Sequence, residues 1–488
     1  MLLVATEVPL RRALVVGAVT MLVATGYASA GTRWIDTINL APNHLRMIAR
    51  PNDFANAADQ ARHPASSFEA WKRRYVIDLA KTRAFYFEED AQTTVLAIDK
   101  GIRVGLFING KPDASTGADL PTQVLLAHLP MFLAPEARSI LVIGHGSGIT
   151  AGSLMRHPVE QADVVEISAG VLNSDSIFAG FNYGVLDDPR VRTYLDDAQS
   201  FLRVVPRRYD MIISEPSSPW VAGIAGLFTS EFFDEMSARL NPGGLAVVWF
   251  HTNEQSDEGV ELVMRTIGSV FPYAIVGRTP EYSDIIVIAS NDPIEPDFEA
   301  MEDRFDQPEI RNDLARIGIT NLASLILHYT LTQERFHEVL PAGPLNTRSR
   351  QRLEYSAPRS LFYHDKSSFL WRVDPLFRGI MPGDSTILGR YLSYRAAAGE
   401  PVRYEELEYL ISRSYRRVAA ALENLPLLPQ ALMQPPKRPA RGLVPDPGTM
   451  GLFEAGFWSS RYLQEGYRDL ASPYLQRFHS LNGTTGKQ

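Results

Sequence analysis

The sequence predicts an α/β fold, a doubly wound and largely parallel sheet flanked by helices, and three observations carry that expectation. Short apolar runs recur between residues 140 and 250, and segments with helical apolar spacing separate them. A glycine-rich turn, Gly144-His145-Gly146-Ser147-Gly148, directly follows the first run. An acid, Glu166, ends the second. Strands alternating with helices over this distance build a parallel sheet with right-handed crossovers. Such sheets bind their ligands outside the carboxyl ends of the strands.

Composition agrees with a globular chain. Its 488 residues are 45% hydrophobic and 21% charged, with a net charge of −8. At roughly 150 residues per domain, that length suggests about three folding units. The mild acidic balance and the lack of basic runs argue against nucleic acid as a partner. The chain has no cysteine, which excludes disulfides, cysteine-ligated metals and thiol catalysis.

The elements follow in order. Residues 1–33 read as a signal-anchor or transmembrane segment, because Ala13 to Thr32 carries no charge and Arg11-Arg12 stands just before it. Ala28-Ser29-Ala30 has the small-x-small form of a signal-peptidase site, so a cleaved signal, a membrane helix and a buried core helix all stay open. Residues 34–82 form a polar connecting segment. Residues 83–118 read as a small β domain, with Thr94–Ile98 and Val104–Ile108 paired across the turn Asp99-Lys100-Gly101. Residues 119–296 hold a helix over Thr122–Phe132 and strands at Ile140–Ile143, Ala162–Ile167, Val191–Leu195, Tyr209–Ser214 and Leu245–Phe250. Helices at Ser230–Leu240 and Asp257–Phe271 lie between or after them, and Tyr273–Val276 with Asp284–Ala289 closes the sheet. Past residue 297 the strand signal stops. Helices are expected at Arg304–Ile317, Ser324–Val339 and Tyr404–Leu425, within a helical region 297–424. A proline-rich linker spans 425–448, and a helical segment with a polar tail spans 449–488.

Chemistry gathers at the strand ends. Gly144, Gly146 and Gly148 let the backbone turn sharply and approach a ligand closely. Glu166 stands where a carboxylate accepts hydrogen bonds from ribose hydroxyls. The third glycine of a dinucleotide fingerprint is missing, since position 149 is Ile149. A nucleoside without a pyrophosphate therefore fits better. Asp197 and Ala198 follow the third strand, where Asp197 serves either the adenine amino group or a helix cap. The fourth strand ends in Glu215-Pro216-Ser217-Ser218-Pro219-Trp220, where Glu215 is either a carboxylate braced by prolines beside that ligand or a helix cap. Asp210, on the opposite rim, reads as structural. His128 and His145 read as packing, and no histidine pair has metal-ligand spacing, so no metal is expected.

From about Phe85 to Ser290 these residues resemble the spermidine synthase (polyamine aminopropyltransferase) family. The likeness rests on Ile108-Asn109-Gly110-Lys111, Asp119, Gln123 and Ala127-His128-Leu129-Pro130. It continues through the glycine turn, Val165-Glu166, Asp188-Pro189-Arg190-Val191, Asp197-Ala198 and Tyr209-Asp210. Leu227-Phe228-Thr229-Ser230-Glu231-Phe232 and Leu240-Asn241-Pro242-Gly243-Gly244 complete it. The motif from Glu215 to Trp220, with Leu345-Asn346-Thr347 and Leu353-Glu354-Tyr355-Ser356-Ala357-Pro358-Arg359, is similar to bacterial members fused to membrane segments.

The resemblance implies a Rossmann-like sheet of the S-adenosylmethionine methyltransferase type, a small β-hairpin domain before it and a helical region after it. It implies a transferase that moves an aminopropyl group from decarboxylated S-adenosylmethionine, a co-substrate and not a tightly bound cofactor, to putrescine or another polyamine. Methylthioadenosine is released. By position, Gln92, Gly144, Gly146, Ser147, Gly148, Glu166, Asp197 and Ala198 would hold the donor. Glu215 would be the catalytic base, and Gln123, Ser218 and Trp220 would meet the acceptor. Two departures bear on the acceptor: Ser147 and Ser218 stand where the family carries aspartates. Each charge-assisted partner lost in this way is worth roughly 1.5–3 kcal/mol, so the acceptor need not be putrescine. An S-adenosylmethionine methyltransferase and a non-catalytic, membrane-tethered nucleoside-binding protein are the alternatives. The resemblance further implies a bacterial inner-membrane protein with a cytoplasmic active domain, export after signal cleavage being the alternative. A homodimer is an open expectation.

Overall fold

A computed structural model describes residues 83–90, 93–99, 103–280, 283–363, 365–374, 385–400 and 476. The apolar segment 13–32, the connecting segment 34–82, Gln92, the helix expected at Tyr404–Leu425 and the proline-rich stretch lie outside these residues. So does the last segment apart from Gln476.

The chain divides into two compact units, Met1–Gly101 with Gly105–Pro112, and Ile102–Val104 with Asp113–Gln488. In the first, β1 (Arg83–Glu89) and β2 (Thr94–Asp99) pair antiparallel from Arg83↔Asp99 to Glu89↔Thr94. Strands β3 (Val104–Ile108) and β4 (Lys111–Ser115) extend the order β1-β2-β3-β4. The expected hairpin is thus the middle pair of a four-stranded sheet. Asn109 and Gly110, both with positive φ at 51° and 74°, supply the Asn-Gly turn that tight hairpins favour.

The second unit opens with helix α1 (Leu120–Leu133), buried along its whole length. Seven strands follow: β5 (Ser139–Ile143), β6 (Gln161–Glu166), β7 (Val191–Leu195), β8 (Tyr209–Ser214), β9 (Leu240–His251), β10 (Tyr273–Arg278) and β11 (Asp284–Ser290). With β12 (Tyr329–Leu331) they form an eight-stranded sheet in the order β12-β10-β11-β9-β8-β5-β6-β7. β5 pairs parallel with β6 on one side and with β8 on the other, which makes its carboxyl end the switch point of the sheet. β11 runs antiparallel to β9 and places its first residue, Asp284, opposite His251. A strand that enters from the carboxyl edge delivers its leading side chain to the same rim as the parallel strands. The central strands are apolar on both faces because helices cover both.

Two expectations past residue 297 need correction. The helix expected at Arg304–Ile317 is two helices, Phe298–Phe305 and Pro308–Ala315. Pro308 cannot continue the first helix and starts the second at a position that needs no donor. The helix expected at Ser324–Val339 is broken by β12 between Leu322–Ile326 and Gln333–Phe336. Tyr329 and Leu331 pair with Gly277 and Val276 on the open edge of β10, so sheet pairing overrides the helical spacing. Among the described residues, no helix is long and apolar enough to cross a membrane.

Candidate active site

The glycine turn is set by strand packing. β5 reads Ser-Ile-Leu-Val-Ile with its last four residues buried, and the chain must leave it sharply to enter helix α2 (Ile149–Leu154). Gly144, Gly146 and Gly148 take φ of 90°, 54° and 74°, a region costly for any side chain. At Gly144 space is also closed: a Cβ there would lie 2.5 Å from the carbonyl oxygen of Glu215. The turn after β5 and the residue after β8 thus meet backbone to backbone.

Glu166 ties the turn down. Its Oε2 accepts the His145 N–H at 2.8 Å and its Oε1 accepts the Ser168 N–H at 2.9 Å. Burial raises its pKa while both N–H bonds act to lower it. The His145 ring is committed to Asp175, with Nε2 at 2.8 Å from Oδ1. Asn182 donates to that same Oδ1 at 2.7 Å and to the Ser147 carbonyl at 3.0 Å. Asp197 caps the helix Ala198–Val204, its Oδ1 accepting the Ser200 N–H at 2.8 Å. Next to these acids, Ile167 and Leu195 are 48% and 58% exposed at the ends of β6 and β7. Exposed aliphatic side chains beside carboxylates offer an apolar surface for a flat base and acceptors for a polar sugar.

Glu215 lies across the turn. Its backbone N–H donates to Ile143 O at 2.9 Å, and its Oε2 accepts the Thr150 hydroxyl from α2 at 2.6 Å. Burial pushes its carboxyl up to about 8; the Thr150 bond opposes this, and the charges of Asp113, Asp284 and Asp119 add to it. Ser147, buried, donates its hydroxyl to Gln123 Oε1, and Gln123 Nε2 donates to Ser115 O at 3.1 Å. Gln123 therefore stands against the glycine turn, its amide bonded within the chain. Ser218 is buried and its carbonyl accepts the Val221 N–H, while Trp220 is half-buried against the core.

Gly144, Gly146, Ser147, Gly148, Glu166, Asp197, Ala198, Glu215 and Ser218 converge at the carboxyl edge of β5 to β8; Gln92 lies outside the described residues. Asp210 sits at the other edge, where Oδ2 accepts the Arg138 and Ser139 N–H groups, both at 2.9 Å. His128 is bonded to His157 and Asp313 in a buried network of its own. Among the described residues no group of three metal-ligating side chains is assembled.

Sequence reading missed Thr150, Asp113 and Asp284. Asp113 Oδ1 accepts the Ser217 hydroxyl at 2.5 Å. Asp284 accepts from Trp249 Nε1 at 3.1 Å, Thr122 Oγ1 at 3.0 Å and Ser283 Oγ at 2.7 Å. The available signal was an acid opening the apolar strand Asp-Ile-Ile-Val-Ile-Ala-Ser. Its meaning depends on the strand running backwards through the sheet.

Residues 120–296 match the spermine/spermidine synthase domain. The chain is 31% identical over 189 residues to a polyamine aminopropyltransferase of Clostridium perfringens, covering 37% of this chain and 66% of that one. It is 35% identical over 125 residues to the polyamine aminopropyltransferase of Serratia proteamaculans, covering 25% and 43%. It thus spans less than two thirds of the length of these relatives. Among solved structures, it is similar to a spermidine synthase in complex with the transition state analogue AdoDATO. That match has 21% identity and a TM-score of 0.40, and it covers 54% of this chain and 85% of that one.

Proposed function

We propose that this chain, whose residues 120–296 match the spermine/spermidine synthase domain, is a spermidine synthase-like transferase that moves an aminopropyl group from decarboxylated S-adenosylmethionine to an amine. The observation that carries the reading is Glu215 at the switch point, held by Thr150 and raised to about 8, across the glycine turn from Glu166. The nucleoside lies over the turn, its ribose toward Glu166, its base between Ile167 and Leu195, and Asp197 beside the base. The acceptor lies on the Glu215 side.

The acceptor nitrogen attacks the methylene carbon bound to the sulfonium. The carbon–sulfur bond breaks, its electron pair stays on sulfur, and neutral methylthioadenosine leaves. Only the free amine has the lone pair this requires. An alkylammonium with a pKa of about 10.4 gives its proton poorly to an ordinary carboxylate and more readily to one near 8. The two cations, once bound, draw Glu215 back to its ionised form. Positioning the amine about 3 Å from the carbon supplies much of the remaining acceleration.

Asp113 and Asp284 support an acceptor with a second positive charge. They bring carboxylates to the side where Ser147 and Ser218 lack them. A polyamine thus finds negative charge supplied from β4 and β11.

The test follows both possible products. Purified protein is incubated with either donor and a panel of polyamines. Methylthioadenosine should appear with wild type and fall by about 100-fold or more in Glu215→Gln. S-adenosylhomocysteine alone would instead show a methyltransferase, and neither product would leave a binding protein. We also propose that the apolar stretch Ala13 to Thr32 tethers the enzyme to a membrane, with the active domain cytoplasmic. Its length and lack of charge support this. Recovery of the full chain in the soluble fraction after cell lysis would refute it.

A further inference from the structure

The loop after Glu215 is held by residues beyond the matched domain. From Pro216 to Thr229 the chain leaves the sheet, and Pro216 and Pro219 have no N–H to donate. A short 3₁₀ turn, Ile224–Phe228, begins at Gly223 with φ of 86°. The loop makes short-range bonds of its own, Val221 N–H to Ser218 O, Ile224 N–H to Val221 O and Gly226 N–H to Gly223 O, and Asn346 and Glu354 bind three further backbone groups, at Gly223, Ala225 and Phe228.

Asn346 is fully buried. Its Nδ2 donates to Ala225 O at 3.2 Å and Phe228 O at 2.9 Å, and its Oδ1 accepts the Leu353 N–H at 3.2 Å. Its own N–H donates to Thr266 Oγ1 at 3.0 Å, and its carbonyl accepts the Ser230 N–H at 2.9 Å. Every polar group of this residue is hydrogen-bonded, and both amide hydrogens go to carbonyls of the loop. Glu354 reaches the loop's apex, where both carboxylate oxygens face the Gly223 N–H, at 3.1 and 3.3 Å. Leu353 and Ala357, both fully buried, seat the helix Arg352–Tyr363 that carries it. From the other side, Ser217 is bonded to Asp113.

We propose that Asn346 and Glu354 are positioning residues for the transfer: they fix the loop 216–229, and through it the setting of Glu215 and Trp220 toward the acceptor. This rests on the aminopropyl-transfer reading. The segment after the matched domain is then a working part of the active site. The two residues differ in what their loss would do. Asn346 is buried in a network and its removal endangers the fold. Glu354 makes a solvent-exposed bond to one amide, so its loss should spare the fold and free the loop.

The full chain is compared as wild type, Glu354→Ala and Glu354→Gln, the last keeping an oxygen that can accept the Gly223 N–H. Glu354→Ala should keep the melting temperature and donor affinity of wild type. It should lose roughly tenfold in kcat/KM for the acceptor, and amide exchange across 221–228 should speed up. Glu354→Gln should restore both. Wild-type kcat/KM in Glu354→Ala overturns the proposal even if exchange changes. If wild type makes no methylthioadenosine, the transfer reading falls first, and exchange alone decides the clamp. Faster exchange in Glu354→Ala but not in Glu354→Gln upholds it, and no difference removes it.

Discussion

Glu215 carries opposed demands at the scale of one side chain. The folded protein keeps its proton up to about pH 8, whereas the ordinary value is 4.5. Folding stability from this group is therefore complete below about pH 4.5 and is lost as the pH rises through 8. Glu215→Gln should raise the melting temperature at pH 8.5 and leave it nearly unchanged at pH 4.5, measured by calorimetry. In the proposed transfer Glu215 takes the proton in its ionised form, so kcat/KM should rise with pH toward 8. Thr150 supplies the bond that opposes the upward shift. Thr150→Val should move the rising limb of the kcat/KM profile to higher pH, and a limb left in place would rule out Thr150 as the tuning group. Of this arrangement the sequence disclosed the carboxylate at the strand end. It did not disclose Thr150, because a threonine in the first turn of a helix has no signature until the strand beside it is known.

At the scale of elements, a buried polar chain joins α1 to the two helices after the sheet. Arg304 can only donate, so His157 Nδ1, at 2.9 Å from its Nη1, accepts. His157 then carries its proton on Nε2 and gives it to His128 Nδ1 at 2.8 Å, and His128 Nε2–H gives to Asp313 Oδ2 at 2.8 Å. Burial, with the charges of His128 and Arg304, holds His157 well below its ordinary 6.5. Burial alone would raise Asp313, but Arg316, His128 and Tyr183 hold it far below the usual carboxylate range. A histidine that must stay neutral gives stability that is full above pH 6.5 and is lost as the pH falls below it. Unfolding midpoints in urea should decline from pH 7 to 5, and His157→Gln should flatten that slope. Asp313→Asn leaves the Arg316 charge buried without its carboxylate and should cost about 3–5 kcal/mol. The sequence read His128 as packing and disclosed neither His157 nor Asp313 as its partners. The break at Pro308 and the strand at Tyr329–Leu331 escaped it, since local spacing cannot announce an open sheet edge.

At the scale of the whole molecule, distant segments complete one rim. Asp284 is 162 residues from Thr122, yet they share a hydrogen bond because β11 runs against the parallel strands. Asp284→Asn should raise KM for a dicationic acceptor by about tenfold, the loss of one charge-assisted partner, while a monoamine changes little. Equal effects on both would show that Asp284 does not read charge. The same closure brings Asp374 to Arg278, a buried ion pair at 2.9 Å, and Asp257 to Ser367 and Ser368. The helical continuation is thereby fastened to the end of the sheet that carries the site.

The sequence by itself determined the sheet, its glycine turn and the acids at three strand ends, because alternation, glycine placement and strand-end position are local properties of the chain. Only the tertiary structure decided the company of Glu215: Thr150 beside it, Asp113 and Asp284 around it, and Asn346 and Glu354 holding the loop after it. Those contacts depend on strand direction and chain closure, which fix what lies next to a residue in space and leave no local trace in the order of amino acids.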